Sequence, residues 1–140
     1  MIPRDPDWLR TILPVPYLWR GRDLTGWDCF GLVDWVETNV FGLEVPDLCA
    51  DYGDDDWTDS VTARWELQAD LIEKNRVTWR PVEPCTGAVV LIRIGRFPAH
   101  VGVDCGGGRF VHCLRGPGTH WSRYNDREWK DRVEGFFLPS

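Results

Sequence analysis

The stretch TGWDCFGLVDWV, residues 25–36, places a cysteine at the start of a predicted helix. Asp28 belongs to the residue types that cap helix N-termini. Behind it, apolar residues recur at the spacing of one helical face, at Leu32, Val33, Val36 and Val40. Cys29 would then lie in the first turn of a helix over residues 29–41, where free backbone N–H groups and the helix dipole favour a thiolate. We therefore expect a candidate nucleophile with a pKa well below about 8.5; a buried structural cysteine is the alternative.

Length and charge narrow the class of protein. With 140 residues and a globular composition, the chain is expected to form one domain, residues 1–140. A net charge of −6 disfavours sequence-independent binding of nucleic acid, which needs clustered Lys and Arg. The N-terminus has no apolar signal region and no apolar run of about 18 residues occurs, so we expect synthesis in the cytoplasm without a signal peptide or membrane span. The five scattered cysteines fit a reducing compartment.

The period of the apolar residues predicts the remaining helices and strands. Residues 6–13 are expected to form a short helix or turn, followed by a loop at 14–26, and a further helix is expected at 58–75. One stripe of the 58–75 helix carries Val61, Trp65, Gln68 and Ile72. Strands are expected at residues 87–95, in a hairpin over 99–114, and at 132–139. Helices followed by strands predict an α+β fold, with N-terminal helices packed on an antiparallel β-sheet.

The acidic run Asp54–Asp56 raises the question of calcium binding. It lacks the spaced oxygen ligands and the closing glutamate of a calcium loop. We therefore expect a solvated turn there.

The hairpin places two histidines together. A three-residue loop at Gly106–Gly108 would form the pairs Cys105 with Arg109, Gly102 with His112, and Val101 with Cys113. Side chains alternate between the two faces of a strand, so His100 and His112 would be diagonal neighbours on one face, about 7 Å apart. Gly102 would leave an open space beside both imidazoles. A loop of two or four residues would instead put the histidines on opposite faces.

These residues suggest the chemistry of a thiol hydrolase. Cys29 would attack a carbonyl carbon, and His100 would act as general base and then general acid. His112 would hydrogen-bond the far nitrogen of His100 and orient its ring. The backbone N–H of Cys29 could donate to the oxyanion.

A metal site is the rival use of the same side chains. His100, His112, Cys113 and His120 are all possible ligands. Cys113 is predicted on the face opposite His112, so the two cannot easily reach one ion. No metal and no cofactor is therefore predicted.

The same residues lie in motifs that resemble a known family. PYLWRG at 16–21 and DCFGLV at 28–33 resemble the first signature of the NlpC-type cell-wall peptidases, roughly P-Y-x-W-G-G and then D-C-S-G-L-V. HVGV at 100–103, followed by the glycine turn and a strand ending at His112, resembles the second signature. GAVV at 87–90 resembles the G-D-L-V that precedes it.

The resemblance implies a papain-like α+β fold and cleavage of an amide in the peptidoglycan stem peptide, typically between D-γ-glutamate and the diamino acid. It assigns Cys29 as nucleophile, His100 as base and His112 as the third polar residue. Tyr17 would lie beside the nucleophile and help to stabilise the oxyanion. Asp28 is interpreted mainly as the helix cap, and is kept with Tyr17 as a candidate oxyanion or substrate residue. Three departures from the pattern, Arg20, Phe30 and Ala88, would reshape the pocket.

A short version of this domain resembles the tail-associated peptidases of phages and gene transfer agents. That resemblance implies synthesis in the cytoplasm of a bacterial host, tail or baseplate partners, and incorporation into a virion or gene transfer agent tail that opens the wall locally. Two alternatives stay open. One is an amidase or acyltransferase of the same fold acting on another amide, and the other is a non-catalytic tail assembly or structural protein.

Overall fold

The computed structural model describes residues 5–45 and 61–140, with side chains in the second range from residue 65 onward. The helices are α1 (Asp7–Ile12), α2 (Cys29–Asn39) and α3 (Val61–Lys74), with a short 3-10 turn at Arg76–Thr78. The strands are β1 (Arg22–Asp23), β2 (Gly26–Trp27), β3 (Trp79–Pro81), β4 (Val89–Ile94), β5 (Phe97–Gly106), β6 (Arg109–Leu114), β7 (Gly118–Arg123) and β8 (Val133–Pro139). The predicted α+β architecture is confirmed.

Six strands form one antiparallel sheet in the order β3-β8-β4-β5-β6-β7, and β1 pairs with β2 separately. Both α2 and α3 contact β5 at the centre of that sheet. The core between helices and sheet includes Leu32, Val36, Leu91, Val103 and Val111. A second apolar cluster holds Val90, Ile92, Phe110 and Trp129. Alternate residues of β4 pack into the first and the second cluster, so both faces of this strand are buried. That explains why its central residues are apolar without alternation.

The structure departs from the predicted elements mainly at the edges. The two edge strands β3 and β7 are not predicted, and the predicted loop at 14–26 includes β1 and the first residue of β2. α2 ends at Asn39 rather than residue 41. The predicted acidic turn at Asp54–Asp56 lies outside the described residues. Among the helices that are described, none is long and apolar enough to cross a membrane.

The β5–β6 hairpin turns differently from the prediction. Gly106 pairs with Arg109, so the loop has two residues, Gly107 and Gly108, both at positive φ as such tight turns require. The predicted Cys105–Arg109 pair is therefore wrong. Cys105 is instead an extra residue in a β-bulge, which shifts the register back by one.

The register beyond the bulge restores the predicted arrangement of the histidines. Gly102 pairs with His112, as predicted. The ladder ends there, so the predicted Val101–Cys113 pair is wrong. Without the bulge, a two-residue loop would have moved His112 to the other face of the sheet.

A buried carboxyl group on α2 makes stability depend on pH. Glu37 is fully buried, and neither of its carboxyl oxygens has a hydrogen-bond partner among the described residues. Burial raises its pKa from 4.5 to about 8. Over that pH range the folded chain keeps a proton on Glu37 that the unfolded chain releases, so the contribution of Glu37 to stability falls as pH rises from 4.5 to 8.

We expect Glu37→Met to stabilise the protein on the order of 1–3 kcal/mol, because an unbranched apolar side chain removes the buried polar group at similar volume. The gain should be larger at pH 8 than at pH 5, because the cost of keeping Glu37 protonated in the folded state grows as pH rises above 4.5. Thermal unfolding of both proteins at the two pH values checks this. An equal gain at both pH values would show that Glu37 does not fold as the neutral acid.

Candidate active site

Cys29 begins α2, and Asp28 is its N-cap, as predicted. Asp28 Oδ1 accepts hydrogen bonds from the Gly31 N–H at 2.8 Å and from Arg22 Nη1 at 3.0 Å. Its Oδ2 accepts from the Arg20 N–H at 3.1 Å. The Asp28 side chain is buried, with 1% of the residue exposed. Its hydrogen bonds connect the segment before the helix with the first turn of the helix. Its predicted part in substrate or oxyanion binding stays a prediction.

Arg20 has an unusual backbone conformation beside this cap. Its φ is 66°, the left-handed region that glycine adopts readily and that costs other L-residues about 1–2 kcal/mol. The motif quoted above has glycine at this position. The Arg20 N–H bond to Asp28 helps to hold the conformation.

The Cys29 thiol is buried, with only 4% of the residue exposed. Burial raises its pKa, and the neighbouring Asp28 carboxylate raises it further. The Val101 backbone N–H opposes this shift by donating towards Sγ. Gln68 Nε2 also donates to Sγ, at 3.5 Å. The prediction of a low pKa for Cys29 is therefore wrong. It considered only the position of Cys29 at the helix start, which the local sequence determines, whereas the burial that raises the pKa comes from elements distant in sequence.

The two histidines meet on one face of the sheet. His100 Nε2 lies 2.8 Å from His112 Nδ1, and His112 Nε2 lies 2.9 Å from Ser122 Oγ. His100 Nδ1 has no hydrogen-bond partner among the described residues. If Nδ1 carries the lone pair, His100 Nε2–H donates to His112 and His112 Nε2–H donates to Ser122. That tautomer leaves His100 Nδ1 able to accept a proton.

Aromatic rings enclose the histidine pair. Trp129 stacks against His100, with ring centres 6.1 Å apart and an interplanar angle of 24°. Trp129 also meets His112 edge-on, at 4.9 Å, and Trp65 meets His100 edge-on, at 6.1 Å. Burial lowers the pKa of His100 to about 3 and lowers the pKa of His112 as well, with nearby imidazoles adding to both shifts. Both rings are therefore neutral near pH 7.

Gly102 allows this close packing, and it does not leave the open space predicted beside the histidines. A Cβ atom at Gly102 would lie 2.7 Å from the Val111 carbonyl oxygen and 3.1 Å from His112 Cβ. Only glycine fits there without moving β6.

A cavity of about 270 Å³ brings the nucleophile and the base together. Its lining residues are Tyr17, Cys29, Trp65, Gln68, His100, Cys113, Leu114, Arg115 and Pro117. Of the predicted site residues, Tyr17, Cys29 and His100 line the cavity. His112 lies behind His100, and Asp28 is not among the lining residues. No group of three or more His, Cys, Asp or Glu side chains within the described ranges is arranged to hold a metal ion.

Four site residues have no role in the sequence-based prediction: Trp65, Gln68, Ser122 and Trp129. Gln68 stood out as a polar residue on the core-facing stripe of its helix, which is an available signal. Ser122 and Trp129 lie in a region where no strand or helix is predicted, so nothing indicated where their side chains point.

Comparison with proteins of known sequence identifies relatives. Murein DD-endopeptidase MepS/Murein LD-carboxypeptidase of Escherichia coli is 31% identical over 118 residues, which are 84% of this chain and 52% of that protein. Proteins of the same name from two further strains of that species match equally well. The chain therefore spans about half the length of these relatives.

Two solved structures share the fold. An NLP/P60-family protein similar to lipoprotein, from Staphylococcus aureus, has a TM-score of 0.63 at 19% identity, covering 95% of this chain and 39% of that one. The NlpC/p60 domain of peptidoglycan hydrolase SagA has a TM-score of 0.55 at 18% identity, covering 94% and 92%. The fold is thus papain-like α+β. The sequence itself matches the NlpC/P60 family over residues 14–137. The chain belongs to the NlpC/P60 family.

Proposed function

We propose that this chain is a cysteine endopeptidase that hydrolyses peptidoglycan, with residues 1–140 acting as one catalytic domain. The observation that carries the proposal is the shared cavity of Cys29 and His100, with the second ring nitrogen of His100 held by His112. A thiol, a base and a group that orients the base are the parts that thiol hydrolysis requires. The relatives named as a murein endopeptidase and a peptidoglycan hydrolase support the choice of substrate.

The reaction starts from a neutral thiol and a neutral imidazole. As Cys29 Sγ bonds to the amide carbon, the thiol proton moves to His100 Nδ1 and the carbonyl π electrons move to oxygen. The Cys29 N–H and the Tyr17 hydroxyl are the proposed donors to that oxyanion. When the C–N bond breaks, His100 gives its proton to the leaving amine. Water then cleaves the thioester, with His100 as base, and regenerates the thiol.

The bond that we propose is the amide between D-γ-glutamate and the diamino acid of the stem peptide. The name of the E. coli relative describes two other cleavages, between two D-residues and at a carboxyl terminus. Synthetic stem peptides that each contain one of these bonds therefore form the test panel. Purified peptidoglycan is digested in parallel, and released fragments are identified by mass.

Cleavage within the stem peptide, with a new amine and a new carboxyl group, is the expected result. Cleavage of an unrelated amide alone would favour an amidase or acyltransferase of the same fold. No cleavage, together with a Cys29 that resists alkylation in the folded protein, would favour a non-catalytic structural protein.

Arg115 supports an anionic substrate. It lines the cavity, is exposed, and forms no ion pair with the described residues. A γ-linked glutamate keeps a free α-carboxylate, which a guanidinium group can bind in a bidentate way.

We expect Arg115→Ala to lower kcat/KM about 3- to 30-fold, mostly through KM, because an exposed cation contributes binding energy of that order. Arg115→Lys should recover part of the loss, and Arg127→Ala, which removes an exposed arginine outside the cavity, should change little. Steady-state kinetics on the stem peptide and on its α-carboxamide measure this. Equal losses on both substrates would show that Arg115 does not bind the carboxylate.

We also propose that the enzyme acts in the tail of a phage or gene transfer agent, in contact with tail or baseplate proteins. The support is the resemblance to tail-associated peptidases described above. Quantitative mass spectrometry of purified particles would detect the chain at a fixed ratio to tail proteins. Its absence from particles that contain a complete tail would contradict this assignment.

A further inference from the structure

A buried glutamine on α3 contacts the nucleophile. Gln68 is 5% exposed, although a glutamine on the core-facing stripe of a helix is costly to bury unless it is hydrogen-bonded. Its Nε2 lies 3.5 Å from Cys29 Sγ and 3.0 Å from the carbonyl oxygen of Ala99. One side-chain amide thus joins the residue before His100 to the sulfur of Cys29.

The contact with Ala99 fixes which way the amide faces. A backbone carbonyl oxygen can only accept, so the NH₂ group of Gln68, and not its oxygen, must point towards it. The same NH₂ group has a second hydrogen, and Cys29 Sγ is its acceptor. Gln68 therefore donates to the sulfur.

We propose that Gln68 is a catalytic residue that stabilises the negative charge on Cys29 Sγ as the thiol proton leaves. The need for such a donor follows from the site, since burial and Asp28 both disfavour the thiolate. Hydrogen bonds to charged groups are stronger than those to neutral ones, so this bond strengthens as charge develops. The bond to Ala99 also keeps the sulfur in place relative to the strand that carries His100.

Gln68 has this catalytic role only if the chain is a cysteine hydrolase, as proposed above, so the test includes a readout that needs no substrate. The rate at which iodoacetamide alkylates Cys29, followed by mass as a function of pH, reports thiolate formation. The variants are Gln68→Met, which keeps an unbranched side chain without a donor, and Gln68→Glu, which replaces the donor with a carboxylate. Glu66→Gln, at an exposed position of the same helix, is the matched control.

Gln68→Met is expected to slow alkylation of Cys29 about 10- to 100-fold near neutral pH, and to move the pH profile upward, because a bond to a charged acceptor is lost. Gln68→Glu should slow it further, and Glu66→Gln should match wild type. On a substrate that the wild type cleaves, kcat should fall by a similar factor with KM little changed, since the proposed role of Gln68 is to stabilise the sulfur in the transition state rather than to bind substrate.

The outcomes separate the role of Gln68 from the function of the protein. An unchanged alkylation profile and kcat in a folded Gln68→Met variant would overturn the proposal while leaving the hydrolase intact. If wild type cleaves no peptide but alkylation depends on Gln68 as described, the thiolate contact stands and the proposed substrate fails. If Gln68→Met does not fold, Gln68→Glu is judged by the same two measurements.

Discussion

Cys29→Ala is expected to abolish release of peptidoglycan fragments, with a fall in kcat of at least about 10³-fold, because Cys29 supplies the thiol that forms the covalent intermediate. Cys113 also lines the cavity, but its Sγ donates to the Trp27 carbonyl oxygen at 3.4 Å. The thiol hydrogen of Cys113 is therefore directed at a carbonyl oxygen, which cannot take its proton as a base. Fragment release is measured by mass, as for the wild type.

The controls for this variant test folding and thiol specificity. Replacing the buried thiol group by a hydrogen atom should cost little stability, so Cys29→Ala should unfold within a few degrees of wild type. Cys85→Ala removes an exposed free cysteine and should keep full activity. Fragment release by Cys29→Ala at the wild-type rate would exclude the thiol mechanism altogether.

His100→Ala is the second substitution with a large expected effect, a fall in kcat of about 10²- to 10⁴-fold. The thiol of Cys29 is protonated at rest, so attack requires a base that takes the proton during the same step. Among the described residues, His100 Nδ1 has no hydrogen-bond partner, and His112 bonds to the other ring nitrogen. Single-turnover kinetics on the cleaved stem peptide measure the loss. Activity that is unchanged in a folded His100→Ala variant would assign the base elsewhere.

The buried histidine pair, His100 and His112, also determines how the activity and stability of the wild-type protein depend on pH. Because burial lowers the pKa of His100 to about 3, the neutral imidazole that acts as base persists well below pH 6.5. Protonation of His100 in the folded protein should therefore not be the first cause of activity loss in acid. The unfolded chain, however, binds protons on both histidines near pH 6.5 while the folded chain does not. These two protons outweigh the single proton that Glu37 keeps in the folded chain, so stability falls as pH drops below about 6.5, and the loss of activity in acid should coincide with unfolding. The stability of His100→Ala should decrease less in acid than that of the wild type, as measured by thermal unfolding between about pH 4 and pH 7.

Local patterns predicted the parts of the site that depend on one element at a time. The apolar spacing after Asp28 located the start of α2 and its cap, and the period of two placed His100 and His112 on one face. The histidine prediction survived an error in the turn because the bulge at Cys105 corrected the register. A bulge leaves no clear mark in the sequence GGG, which fits either loop length.

The parts that depend on distant elements were not predictable in this way. The burial of Cys29 comes from α3 and β5 as well as from its own helix, and no local pattern reports it. Ser122 lies on β7, an edge strand of six residues with too little apolar alternation to be recognised. Its hydrogen bond to His112 spans two strands, so it is found only once the sheet order is known.

The bulge at Cys105 also limits how the length of this hairpin can change during evolution. Loop tips ordinarily accept single insertions and deletions at little cost. Here a change of one residue in the turn is neutral only if the bulge is gained or lost together with it, because otherwise His112 moves to the far side of the sheet. Active relatives that descend from this chain are therefore expected to change the turn by two residues at a time, or by one residue together with the gain or loss of the bulge. A lineage with an uncompensated single-residue change should have lost the histidine pair, and with it the selection that keeps Cys29.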